Sequence, residues 1–152
     1  MSADEAIAWE GLLELSRRFR RSAENLLAAE GDLSISMLGI TGRLVRAERR
    51  MLRQTELAEA MGLSLSRVSR VIDLLEQRGL VERRACPTDA RATNITLTRR
   101  GRASTERAQQ RLAAFVQSSF HDRLEAGEIA TLAAIFTRLL RAPGVEQGRS
   151  ES

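Results

Sequence analysis

At 152 residues, with 43% hydrophobic residues and a single cysteine, the chain can bury one globular core and cannot form an intrachain disulfide. No apolar run approaches the roughly 20 residues that span a bilayer, and the acidic opening MSADEAIAWEG lacks the basic-then-apolar order of a secretory signal, so a cytoplasmic protein is expected. All 24 basic residues are arginine, and residues 43–111 hold 16 of them against 8 acidic residues; a basic middle between acidic flanks suits a polyanion-binding module carried on a scaffold.

From about Ala3 to Ala29, Leu12, Leu15, Phe19, Ala23 and Leu26 recur at spacings of three and four, the stripe of an amphipathic helix. Gly31 and Asp32 break it. A second helix is predicted from Ser34 to about Glu48, with Met37, Leu38, Leu44 and Val45 facing inward. A third runs from Gln54 to Met61 and buries Leu57, Ala58 and Met61. Gly62 ends it, because a residue without Cβ takes the left-handed conformation at no steric cost.

Ser64 is placed to cap a fourth helix with its hydroxyl. That helix reaches about Arg78, with Gly79 as its stop. Val68, Val71, Ile72 and Leu75 form its apolar side. Ser66, Arg70, Asp73 and Gln77 lie opposite, flanked by Arg67 and Ser69, and are left to face a partner. Two strands follow, about Leu80–Cys86 and Thr93–Leu97, with Val81, Ile95 and Leu97 as apolar positions and Pro87-Thr88-Asp89-Ala90 as the turn. Thr98 can cap a fifth helix, about Arg99 to Leu124, carrying Leu112, Phe115, Val116 and Phe120. A sixth, about Ala126 to Arg141, repeats the stripe with Ile129, Leu132, Phe136 and Leu139. Pro143-Gly144 ends it, and 145–152 reads as a loose polar tail.

The stretch SRVSRVIDLLEQRGLVERR, the Asp89-Ala90-Arg91 tip and the following ITLTRRG resemble the MarR family of bacterial transcriptional regulators, and the resemblance extends over nearly the whole chain. It implies a mainly α fold with a small two- or three-stranded β-wing: a winged helix-turn-helix over 34–98 within a single 1–144 domain. Residues 3–29 and 99–142 would supply the dimerisation helices. In such a fold the fourth helix enters a major groove, where Arg67 and Arg70 can each fork onto a guanine. Ser64, Ser66 and Ser69 are short donors and acceptors for phosphates or nearby bases. Gln54 and Thr55 offer donors to phosphate from the first turn of the third helix. Arg91 matches the wing arginine that relatives place in the minor groove, and Asp89 would hold it in position. Arg84 is a further candidate contact, or a solubilising cation. Arg43, Arg46, Arg49 and Arg50 either line the DNA side or face water.

Two residues depart from the family pattern. Arg53 stands where a Ser or Thr often caps the third helix, so that end is frayed or capped otherwise. Leu74 occupies a position where a polar or basic residue is common, and would touch a thymine methyl or pack against the wing.

The terminal helices carry apolar stripes outside the winged core, which intertwining with a second copy would bury. Leu12, Leu15, Leu112, Phe115, Phe120, Leu132, Phe136 and Leu139 are the dimerisation candidates; folding back on a monomer is the alternative. A two-fold dimer spaces its recognition helices about 34–36 Å apart and so requires double-stranded DNA with an inverted-repeat operator. The resemblance also implies relief by a small-molecule effector, with Trp9, Phe19, Met37 and Leu38 as pocket candidates that core packing explains equally well. Cys86 lies at the end of the first wing strand, and an idle thiol is the simpler reading. His121 and Cys86 alone cannot assemble a zinc site. Neither a catalytic pair nor a phosphate loop is present, so neither an enzyme nor a cofactor is expected. The function that follows is a repressor acting as a homodimer; the alternative is a winged-helix protein-interaction module without specific DNA binding.

Overall fold

A computed structural model describes residues 1–30, 33–48, 51–86 and 89–141. In chain order these form α1 (Ala3–Glu30), α2 (Ile35–Arg46), β1 (Met51–Arg53), α3 (Gln54–Met61), α4 (Leu65–Gln77), β2 (Val81–Cys86), β3 (Asp89–Leu97) and α5 (Arg99–Ser119). A 3-10 turn (His121–Arg123) and α6 (Glu128–Arg141) follow. The chain divides into two compact units, Met1–Leu112 and Ala113–Ser152. No helix among the described residues is long and apolar enough to cross a membrane.

The first unit is built around α2. Ser34 caps it, its hydroxyl accepting from the Met37 amide at 3.3 Å. The helix touches α1, α3, α4 and β3, so more than one of its faces is buried. That explains why Ile40, which the sequence pattern passed over, is 0% exposed, and why Val45, expected inward, is only half-buried. On α1 the deepest side chain is likewise Leu27 and not its predicted neighbour Leu26, which is half-buried. Leu44, Leu57, Val68, Ile72, Leu75, Leu80, Val81 and Ile95 complete the core with α2. At roughly 25 cal/mol per Å² of apolar surface removed from water, these aliphatic side chains are the main source of stability in the unit.

Between α3 and α4 the backbone turns through Gly62 (φ +62°), whose amide bonds the carbonyls of Ala58 and Glu59 and closes α3 as predicted. The sheet has three antiparallel strands in the order β1-β3-β2. Leu52 pairs with Ile95, and Val81 with Leu97. Sequence reading located only two of these strands, because three residues, Met-Leu-Arg, are too few to display a period. It also began the last strand at Thr93. Asp89 and Ala90, expected in the turn, belong to β3, where Asp89 pairs with Cys86 across an irregularity at Ala85 and Cys86. Ladder pairing overrides the weak strand preference of Asp and Ala. Pro87 and Thr88, Gly31 and Asp32, the Pro143-Gly144 stop and the 145–152 tail lie outside the described residues.

The junction from wing to α5 is close. Thr98 caps α5, its hydroxyl accepting from the Gly101 amide at 2.9 Å and donating to the Gly79 carbonyl at 2.8 Å. The helix then lies so near the preceding chain that a Cβ on Gly101 would sit 1.8 Å from the Leu80 carbonyl oxygen.

In the second unit α5 ends at Ser119, five residues before the predicted Leu124. Ser118 turns its hydroxyl back onto the carbonyls of Ala114 and Phe115, the competition with helical bonding that makes serine common near ends. The last helix begins at Glu128, two residues later than predicted, where the Glu128 carboxylate accepts from the Glu125 amide at 2.7 Å.

Candidate nucleic-acid interface

The fourth helix has the two-sided build that its sequence implies. Val68, Ile72 and Leu75 are fully buried, and Val71 packs partly against the same core. Ser66, Arg67, Arg70, Asp73 and Gln77 are exposed, and Ser69 is half-buried. Ser64 caps the helix as predicted, its hydroxyl accepting from the Arg67 amide at 3.3 Å and lying 3.2 Å from the Ser66 hydroxyl. Leu74 is 44% exposed, so it remains accessible to a partner.

At the start of α3 the question raised by Arg53 is answered from within the helix. The Arg53 amide donates to the Glu56 carboxylate at 2.6 Å; a guanidinium has no lone pair to offer and cannot cap. Gln54 is half-buried and Thr55 exposed. Arg53, Gln54, Thr55, Leu65, Asp89, Ala92 and Thr93 line one concavity of about 300 Å³. Three of the predicted contact residues, Gln54, Thr55 and Asp89, are thereby brought together where α3, the start of α4 and the first residues of β3 converge. Leu65, 49% exposed at the mouth of α4, was not singled out from sequence.

On the wing, Arg84 is exposed and its Nη2 lies 3.1 Å from Glu82. Asp89 is exposed. The backbone of Arg91 lies in β3, but its side chain, like those of Cys86 and Ala90, is outside the described residues. Arg49 and Arg50 lie outside them as well. Arg43 donates from Nη1 to Gly39 at 3.0 Å and from Nη2 to the Ala60 carbonyl at 2.9 Å, so it ties α2 to the last turn of α3.

Sequence reasoning missed Arg83. Its Nη2 meets Asp73 at 2.5 Å and its Nη1 meets Glu76 at 2.5 Å, joining the wing to α4. Burial alone would lower its pKa, but the two carboxylates outweigh that and raise it above the ordinary guanidinium value. The signal was present as Asp73, Glu76 and Arg83, but only the fold brings residues seven and ten apart across the Gly79 turn.

The remaining candidates are placed less compactly. Met37 and Leu38 are buried in the core, Phe19 is half-buried, and Trp9 is 57% exposed on α1. Of the dimerisation candidates, Leu12, Leu15, Phe136 and Leu139 are exposed, whereas Leu112, Phe115, Phe120 and Leu132 are half-buried. Ile7, Leu13, Ile129 and Leu140 add to the exposed apolar surface of α1 and α6.

Comparison with known proteins agrees with this architecture. A MarR family profile matches residues 47–93. Over 124 residues the chain is 33% identical to a Thauera aromatica protein described as a transcriptional regulatory protein for the hcr operon, covering 81% of this chain and 72% of that one. AbsC, a MarR family transcriptional regulator of Streptomyces coelicolor, superposes with a TM-score of 0.85 at 27% identity, over 92% of this chain and 94% of its own. Sco3205, from the same organism and family and crystallised with DNA, gives a TM-score of 0.85 at 26% identity, over 92% and 88%.

Proposed function

The chain belongs to the MarR family of DNA-binding transcriptional regulators, and on that premise we propose that it is a repressor acting as a homodimer on an inverted repeat. The observation that carries the reading is the division of α4. Its apolar side is locked into the core by Val68, Ile72 and Leu75, which leaves Ser66, Arg67 and Arg70 on a rigid, exposed face. A helix fixed in this way suits the major groove, where arginine reads guanine through two parallel hydrogen bonds. Gln54, Thr55 and Ser64 are assigned to phosphates, Ser69 to a phosphate or a nearby base, and Arg84, Asp89 and Arg91 to the wing contact. The activity is binding without catalysis, exerted in the cytoplasm.

Dimerisation is supported by the exposed leucines, isoleucines and aromatics of α1 and α6. Large apolar side chains left exposed in such number along each helix are costly in water and mark a protein interface. Relief by a small molecule completes the proposal. Because Met37 and Leu38 are already packed in the core, an effector reaching them must rearrange it, and Trp9 and Phe19 are the more accessible contacts. An interaction module devoid of DNA binding finds no support among these relatives, one of which was crystallised on DNA.

The test is a titration of the full chain against the DNA upstream of its own gene and against a scrambled duplex, at two salt concentrations. Tighter binding to the upstream DNA, at one dimer per inverted repeat, is expected. Equal binding to both duplexes that disappears with added salt would overturn the proposal.

A further inference from the structure

The exposed side of the recognition helix contains an electrostatic contradiction. Asp73 follows Arg70 by three residues and shares its face, so a helix read as lying against phosphates carries a carboxylate there, with Glu76 one turn further on. We propose that Arg83 is a positioning residue for DNA binding: a resident counter-ion on the wing that screens Asp73 and Glu76 from the phosphate backbone. This inference rests on the reading of α4 and the wing as the DNA-facing surface.

Three observations carry it. The guanidinium is divided between the two carboxylates, Nη2 on Asp73 and Nη1 on Glu76, and the Arg83 backbone amide also approaches Glu76 at 3.4 Å. The Arg83 side chain is 25% exposed, whereas that of Arg84, next on the same strand, is 68% exposed. Successive strand residues point to opposite faces, so Arg83 turns inward to α4 while Arg84 turns away. Finally, Asp73 and Glu76 remain 50% and 44% exposed, open enough to act on a phosphate if their counter-ion were removed. Exposed ion pairs add little to folding stability, so stability alone gives a weak account of the arrangement.

The experiment measures operator affinity by fluorescence anisotropy for the full chain, Arg83→Gln, the pair Asp73→Asn with Glu76→Asn, and all three together, with thermal melting of each. Unscreened carboxylates within a Debye length of phosphates, about 8 Å at physiological salt, should weaken Arg83→Gln binding by about tenfold, and less as salt rises. Adding the two Asn substitutions should restore affinity to within about threefold of the parent, as the like-charge repulsion they remove is the cause of the loss. The two Asn substitutions alone should bind at least as tightly as the parent.

Parental affinity in Arg83→Gln would overturn the inference, as would a loss that the Asn substitutions do not recover, since Arg83 would then touch phosphate itself or serve the fold alone. Should Arg83→Gln fail to fold, the Asn pair still decides, because weaker binding there would give the carboxylates a direct role. A parent that fails to distinguish operator from scrambled DNA rejects the regulator reading itself and this inference with it, whereas a discriminating parent with an indifferent Arg83→Gln rejects this inference alone.

Discussion

Replacing Gly101 by alanine is the substitution whose effect the structure determines most sharply. In an unobstructed helix, Gly→Ala is favourable by up to about 1 kcal/mol. Here the new Cβ would stand 1.8 Å from the Leu80 carbonyl oxygen, where contacts under 3.0 Å are essentially never tolerated. The chain must therefore open by about 1.2 Å between two backbone segments, and neither is a flexible side chain that could swing aside. Leu80 is fully buried, and its carbonyl accepts from the Thr98 amide at 3.1 Å. Opening thus disturbs a core leucine, a backbone hydrogen bond and the Thr98 cap together. Overpacking costs about 1–3 kcal/mol and the strained hydrogen bond about 1 kcal/mol; after the propensity gain of about 1 kcal/mol, a net loss of about 1–3 kcal/mol is expected. For a chain of this length that lowers Tm by about 2–12 °C. Circular dichroism melting of parent and variant at the same protein concentration reads it directly, since association would otherwise shift Tm by mass action. A Gly101→Ala protein as stable as the parent, or more so, would refute the argument that α5 is docked on Leu80 through a missing Cβ.

Further outcomes follow from the interface and the core. Arg67→Ala and Arg70→Ala should each reduce the preference for operator over random DNA by about 5- to 150-fold, the 1–3 kcal/mol of a forked guanine contact; undiminished selectivity in competition titrations of both would remove them from base reading. Arg91→Ala should weaken binding to all sequences alike and flatten the plot of log affinity against log salt by about one unit, and an unaltered slope and affinity would take the wing out of the mechanism. Thr41 is fully buried in α2, and its hydroxyl has no hydrogen-bond partner among the described residues. Thr41→Val exchanges an unsatisfied polar group for a methyl of like size, so chemical denaturation should show equal stability or a gain of about 1 kcal/mol, and a loss of that size would mean the hydroxyl is paired.

Most local structure was legible in the residues because it depends on neighbours in sequence. The Gln54–Met61 helix, its Gly62 stop, the Ser64 and Thr98 caps and the buried stripe of α4 are matters of period and capping, which a few consecutive side chains decide. The exposed Ser66, Arg67 and Arg70 followed from the same period, since naming the buried side of a helix also names the free one. Tertiary contact decided the rest. The strand at Met51–Arg53 exists because β3 offers it a ladder, and β3 reaches back to Asp89 because β2 pairs with it. Ile40 is buried because four elements surround α2. Arg83 finds Asp73 and Glu76 because the chain reverses at Gly79. Caps and helical stripes are written within one or two turns of chain, whereas ladders, enclosure and ion pairs across a turn depend on residues that only the folded backbone makes neighbours.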